Sequence, residues 1–211
     1  DKLCILPAEH QSAWVVNGEL RFIHLYFDVE QFALGAVRLL DREPRETRLH
    51  ERTFIDEPLQ TARFRALSRL DWDEPAERLL CSILDHSLLS HSGRRQDLQV
   101  KGGLAAHQRK DLLDYIEQHL DQPLSIDALA QRVALSSYHF ARMFQLSVGL
   151  APHRYVLTRR LQRAAHLLQH SHLALGEIAL SCGFASASHF SNRFRQAFGA
   201  TPGLYRQALA H

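Results

Sequence analysis

The sequence predicts a mainly α protein: two helix–turn–helix subdomains joined by a long linker helix, preceded by a small β and helical region. Three observations predict it. Apolar residues recur at helical spacing through most of the chain after Asp28. Strand-forming runs are confined to the first 27 residues. The last third repeats itself: Ser136/Ser186, His139/His189, Phe140/Phe190, Phe144/Phe194, Gly149/Gly199, Pro152/Pro202 and Tyr155/Tyr205 recur at an offset of 50. Just upstream, Ala130, Ala134 and Leu135 correspond to Ala179, Gly183 and Phe184 at an offset of 49, which puts one extra residue in the second turn.

Residues 3–6 and 14–27 read as strands, the latter as a hairpin turning at Asn17-Gly18. An isolated hairpin is marginal in water, so it must lie on the rest of the chain, on a partner, or in a larger sheet. Phe32, Leu34, Val37, Leu39 and Leu40 then crowd a helical segment, and a polar stretch follows over Asp41–Arg52. Helices are expected across Leu59–Leu70 and Ala76–Ser90. In the second of these, Ala76, Leu79, Leu80, Ile83, Leu84 and Leu88 form one apolar stripe, more than a small core requires. The polar segment 91–106, with Gly93, Gly102 and Gly103, reads as a linker between domains at 1–90 and 107–211. Beyond it the periodicity predicts helices over about 107–120, 126–133, 137–147, 152–169, 175–182, 187–198 and 202–209.

Each repeat is a short helix, a break at Ala134 or Gly183, and a second helix opened by serine. Such a unit holds a helix against a groove, and two copies imply two DNA-reading heads, at about 126–147 and 175–198. In the first, Ser125 and Ser136 are expected N-caps. Phe140, Met143 and Phe144 face inward by helical spacing, which leaves Ser137, Tyr138, Ala141, Arg142 and Gln145 outside. Arginine can bond O6 and N7 of guanine bidentately, glutamine can bond N6 and N7 of adenine, and a tyrosine ring can meet thymine methyls. In the second head Ser186 caps a helix with Phe190, Phe194 and Phe198 inside. Ala187, Ser188, His189, Asn192, Arg193 and Arg195 remain for DNA, and the capping residues Ser136 and Ser186 are DNA-binding candidates with them. Asn192 is the adenine reader, at the position equivalent to Arg142, while Arg193 and Arg195 grip phosphates. Between the heads Pro152 opens a helix whose apolar face is Leu157, Leu161, Ala164, Ala165 and Leu168. Arg154, Arg159, Arg160 and Arg163 are expected on its DNA-facing flanks.

The charge distribution agrees. The net charge of +2 conceals −3 over residues 1–106 and +5 over 107–211, with nine arginines and one acid, Glu177, from Ala128 onward. That is a localised positive field suited to polyphosphate. With 45% hydrophobic and 23% charged residues the chain reads as a globular protein without a membrane segment or secretory signal. Cys4, Cys81 and Cys182 are far apart and lack metal or disulfide spacing, which suits a reducing cytoplasm.

The stretches LSIDALAQRVALSSYHFARMF, GLAPHRYVLTRRLQRAAHLL and EIALSCGFASASHFSNRFRQAFGATPGLYR resemble the AraC/XylS family of bacterial transcription regulators over about residues 107–209. The resemblance implies an effector-responsive activator that binds promoter DNA and can contact RNA polymerase. It places Tyr138, Ala141 and Arg142, and Ala187, Ser188, His189 and Asn192, where relatives contact bases. Less specifically, the first 90 residues are similar to the end of the family's cupin-like effector and dimerisation domain, most of whose barrel would precede Asp1. By that analogy part of the stripe Leu79, Leu80, Ile83, Leu84 and Leu88 meets a second protomer in a homodimer.

Competing readings have specific requirements. His166, His170 and His172 suggest a metal, but no carboxylate or cysteine completes a set, so neither a metal nor a cofactor is expected. His86 and His91 straddle a helix end and read as solvated. His139 and His189 read as packed at their helix starts, with His189 also within reach of DNA. Cys182 reads as an inert core thiol. A cupin-type oxygenase would need a metal triad, and a DNA-repair methyl acceptor a reactive cysteine. The residues supply neither, so no enzymatic activity is expected.

Overall fold

A computed structural model describes residues 2–8, 10, 11, 13, 15–70, 74–95 and 101–209, with the side chains of Glu74, Pro75, Glu77 and Leu209 left aside. Trp14 of the expected hairpin and residues 96–100 of the expected linker lie outside that range. The chain divides into two compact units, Asp1–Lys101 and Gly102–His211.

The first unit runs β1 (Leu3–Ile5), α1 (Val29–Leu40), a 3-10 turn at Pro44–Glu46, β2 (Thr47–Leu49), β3 (Arg52–Ile55), α2 (Pro58–Leu67), α3 (Glu74–His91) and β4 (Ser92–Arg94). Two antiparallel pairs form, β1 with β3 and β2 with β4. Asp28 opens α1 with a capping box: its carboxylate accepts from the Gln31 N–H at 2.7 Å, and the Gln31 side chain accepts from the Asp28 N–H. The helix buries Ala33, Ala36 and Val37. Gly35 lets it approach α3 so closely that an added Cβ would stand 2.4 Å from Cδ1 of Leu88. Across α2, Gln60 is fully buried and donates to the Ile83 carbonyl and to Ser87 Oγ.

Three expectations fail here. Residues 15–27 form no strand. They join neither two-stranded sheet: Val15, Phe22 and Tyr26 are exposed (90%, 67% and 88%), while Leu25 and Phe27 pack partly buried against Leu67, Ala76 and Ile83. Ser92–Arg94, expected in the linker, pair with β2 instead, because β2 and β3 arise from the polar stretch that sequence patterning left unstructured. The stripe on α3 is not a free dimer face. Ile83, Leu84 and Leu88 are buried within the unit, and Leu79 and Leu80 pack partly buried beside Leu67, Ala76 and Ile83. The stripe that looked excessive for one helix is consumed by α1 on one side and α2 on the other.

The second unit holds α4 (Ala106–Gln118), α5 (Ile126–Arg132), α6 (Ser137–Val148), α7 (Pro152–His170), α8 (Leu175–Ser181), α9 (Ala187–Phe198) and α10 (Pro202–Leu209). The repeat is structural. Phe144 meets Tyr155 edge-on at 5.7 Å, and Phe194 meets Tyr205 in the same way at 5.1 Å. Both α6 and α9 end on a left-handed glycine, Gly149 and Gly199. Helix α7 serves both halves, burying Tyr155 and Val156 toward its start and Leu161, Ala164, Ala165 and Leu168 in the core around Phe190 and Phe194. Among the described residues no helix is long and apolar enough to cross a membrane.

Candidate nucleic-acid interface

Both heads close their turns by the same device. The Leu135 N–H donates to the Ala130 carbonyl at 3.1 Å, and the Phe184 N–H to the Ala179 carbonyl at 2.9 Å. Each turn needs one left-handed residue, Ala134 at φ 54° and Gly183 at φ 73°. The additional residue of the second turn is Ala185, which follows Phe184 and delays the cap to Ser186. Ser136 and Ser186 then spend their hydroxyls on the N–H groups of His139 and His189. Their role is to start α6 and α9.

On α6 the buried face is Phe140, Met143, Phe144, Ser147 and Val148. The opposite face shows Tyr138, 82% exposed, with His139, Arg142 and Gln145, while Ala141 is half-buried. The Ser137 hydroxyl donates to the Asp127 carboxylate, so the helix start is tied back to α5. On α9 Ala187, Ser188, His189, Asn192, Arg193 and Arg195 are all exposed. His139 and His189 are both exposed at the surface. The ring of His189 lies edge-on to Phe184 at 5.8 Å, and Nε of Arg193 is 3.5 Å from its Nε2.

The repeat breaks at one informative place. Met143 and Arg193 are equivalent, yet Met143 is buried and Arg193 exposed. The lead-in segment covers the first head: the Gly103 N–H reaches Sδ of Met143, and the Leu104 N–H donates to Ser147 Oγ at 2.7 Å.

Two arginines expected on the DNA-facing flanks of the linker helix are engaged within the unit. Arg159 forms a two-point pair with Glu117, Nε to Oε1 at 2.5 Å and Nη2 to Oε2 at 2.9 Å. Burial works against its charge, but the hydrogen bond and charge of Glu117 outweigh that and hold the guanidinium above its ordinary pKa. Arg160 donates from Nε to the Leu120 carbonyl and from Nη2 to the Gln122 carbonyl, and burial pushes its pKa down. Both arginines are partly buried inside the unit, where carbonyls and a carboxylate take the hydrogen bonds that phosphates would have received. Arg132 was not singled out by the sequence, yet it is exposed, with its guanidinium 3.7 Å above the Tyr115 ring.

Away from the heads, the histidine cluster of α7 does not converge. The His166 and His170 rings stack at 4.3 Å, and Nδ1 of His170 faces the His166 carbonyl. His86 and His91, expected to be solvated, instead face Glu57. Cys182 is buried under its turn, and burial raises its thiol pKa.

Residues 129–208 match a family model described as a helix-turn-helix domain. The chain is 43% identical over 96 residues to the HTH-type transcriptional activator RhaS of Escherichia fergusonii, covering 46% of this chain and 34% of that protein. It is 38% identical over 93 residues to the probable transcriptional regulator LumQ of Photobacterium leiognathi, covering 44% of this chain and 38% of that one. The chain thus spans between a third and two fifths of the length of these two relatives. Among solved structures, it is similar to the DNA-binding domain of AdpA in complex with a target DNA (31% identity, TM-score 0.47, 48% of this chain and 91% of that one). A transcriptional regulator from Chromobacterium violaceum is similar at 34% identity (TM-score 0.46, 50% of this chain and 94% of that one).

Proposed function

The C-terminal unit belongs to the AraC/XylS family of helix–turn–helix regulators, and from that premise we propose that the chain is a sequence-specific DNA-binding transcription activator, not an enzyme. The observation that carries the reading is the pair of serine-capped helices, α6 and α9, whose outward faces hold side chains able to hydrogen-bond base edges. Tyr138, Arg142 and Gln145 do this on one, and Ser188, His189 and Asn192 on the other, with Ala141 and Ala187 offering only apolar contact. A single helix of 19 residues joins the heads. With two such heads on one chain, each takes its own half-site. Exposed Arg193 and Arg195 supply phosphate contacts.

The finer parts of the reading rest on the family alone. They are an N-terminal region derived from a cupin-like effector domain, self-association, response to a small effector, contact with RNA polymerase, and action in a bacterial cytoplasm. The test of the central reading is binding to a promoter fragment at increasing salt. Log affinity should fall linearly with log salt, by about 0.9 for each phosphate neutralised. A flat salt response, or equal affinity for promoter and random DNA, overturns it.

A further inference from the structure

We propose that Glu57, His86 and His91, in the N-terminal unit, form a binding site for one divalent transition-metal ion of the zinc class. The site is independent of the DNA-reading heads. Among the described residues these three are the group whose ligand atoms converge, all within 4.8 Å of one another. Oε2 of Glu57 lies 3.3 Å from Nε2 of His86, and Oε1 lies 3.0 Å from Nε2 of His91. An ion bound tetrahedrally at about 2.0–2.1 Å from its donors holds them about 3.3 Å apart, so these separations fit a common centre with little movement.

The surrounding structure holds the donors in place. Glu57 stands at the N-cap position of α2, yet its carboxylate makes no capping bond there. His86 and His91 are five residues apart, about 140° around a helix, and would not share a face by spacing alone. His91 closes α3, and its carbonyl accepts from the His50 N–H at 2.8 Å, which fixes the chain where the second imidazole enters. The two rings then stand 6.1 Å apart at 62°.

One atom separates a metal site from a simple ion pair. Nε2 of His91 is buried and makes no hydrogen bond, although a carboxylate oxygen is 3.0 Å away. A buried imidazole nitrogen that makes no hydrogen bond is costly, and a cation between the three donors would remove that cost. Two imidazoles and one carboxylate suit zinc and its neighbours, whereas calcium and magnesium prefer oxygen alone. Glu57 and His86 each keep 23% of their side-chain surface open, which provides an entry path and room for a water ligand.

The test uses the whole chain, stripped with chelator and titrated with Zn²⁺ by calorimetry, then with Co²⁺ for its visible absorption. One ion per chain is expected, with a rise in unfolding temperature on adding zinc. Glu57→Gln and His86→Gln should each weaken binding by more than about tenfold and abolish that rise. His166→Gln, on the stacked surface pair, should change neither. His91→Gln should behave like the other two site variants, and because it is buried the more open pair decides if it fails to fold. Absence of saturable binding overturns the site, as does binding that keeps its affinity in Glu57→Gln and His86→Gln.

Discussion

The guanidinium of Arg160 occupies space that a side chain at Gly183 would need. A Cβ on Gly183 would stand 2.7 Å from Nη2 of Arg160 and 2.2 Å from the Leu120 carbonyl oxygen. The same guanidinium donates to the carbonyls of Leu120 and Gln122. One arginine of α7 therefore fastens the segment just after α4 beneath the turn of the second head. The equivalent turn in the first head carries Ala134 at φ 54°.

Gly183→Ala should consequently be among the most damaging small substitutions in the unit. It combines an unfavourable φ of +73° with a clash against a backbone oxygen that cannot swing away. A loss of about 2–4 kcal/mol is expected in denaturant unfolding. Gly176→Ala, with nothing within 4 Å of the new Cβ and a helical setting, should be neutral or stabilising by up to about 1 kcal/mol. Equal effects at the two glycines would remove the argument from Arg160.

The pair Arg159–Glu117 yields a second expectation. Each single alanine substitution should lower stability, and the double substitution should cost less than the sum. The coupling should be about 1–2 kcal/mol, since the pair is two-point and the arginine mostly covered. The slope of log affinity against log salt for DNA should stay at the parent value in Arg159→Ala. A slope reduced by about one would return Arg159 to the phosphate contacts.

These arginines show where sequence reading stops. The repeat, its caps, the turn glycine and the inward phenylalanines were legible because each depends on local spacing. Helix bounds in the second unit agree with periodicity to within one or two residues. A basic side chain on a half-buried helix looks the same in sequence whether it meets phosphate or a carbonyl 38 to 40 residues away. In the first unit β2 and β4 are separated by two helices, and their short polar strands carry no alternation to find. The Glu57, His86 and His91 cluster was missed for the same reason: its members are distant in sequence, and the histidines are off-phase for one helical face. The stripe Ile83, Leu84 and Leu88 was legible as helical spacing, but its burial against α1 and α2 within the unit was not, since those contacts are long-range.

Cys182 should be the slowest thiol toward an aromatic disulfide reagent in the native protein, and exposed Cys81 should react first. Burial raises the Cys182 pKa above its ordinary value of 9.0, so its thiolate fraction at pH 8 is below that of an unfolded chain. The raised folded value also means that this group's contribution to stability is intact below about pH 9. It declines as pH rises from there toward the folded pKa, because only the unfolded chain gains by ionising. Native labelling of Cys182 as fast as Cys81 would show that the turn above it opens readily.

The most direct expectation concerns the two reading faces. The heads follow one another along one chain and share α7, so they need not be related by a two-fold axis. One protomer should read two different, directly ordered half-sites about 10 base pairs apart. Arg142 and Asn192 occupy equivalent exposed positions but carry different hydrogen-bonding groups, a guanine reader and an adenine reader. Arg142→Ala should relax base preference in one half-site and Asn192→Ala in the other. Each should cost about 1–3 kcal/mol on the preferred sequence and much less on random DNA. Arg195→Ala should weaken all sequences alike and reduce the salt slope by about one, as loss of a phosphate contact does. Randomised-site selection with each variant distinguishes these outcomes. If Arg142→Ala lowers affinity everywhere while the selected motif stays unchanged, the outward face of α6 grips the backbone, and base reading by the first head must come from Tyr138 or Gln145.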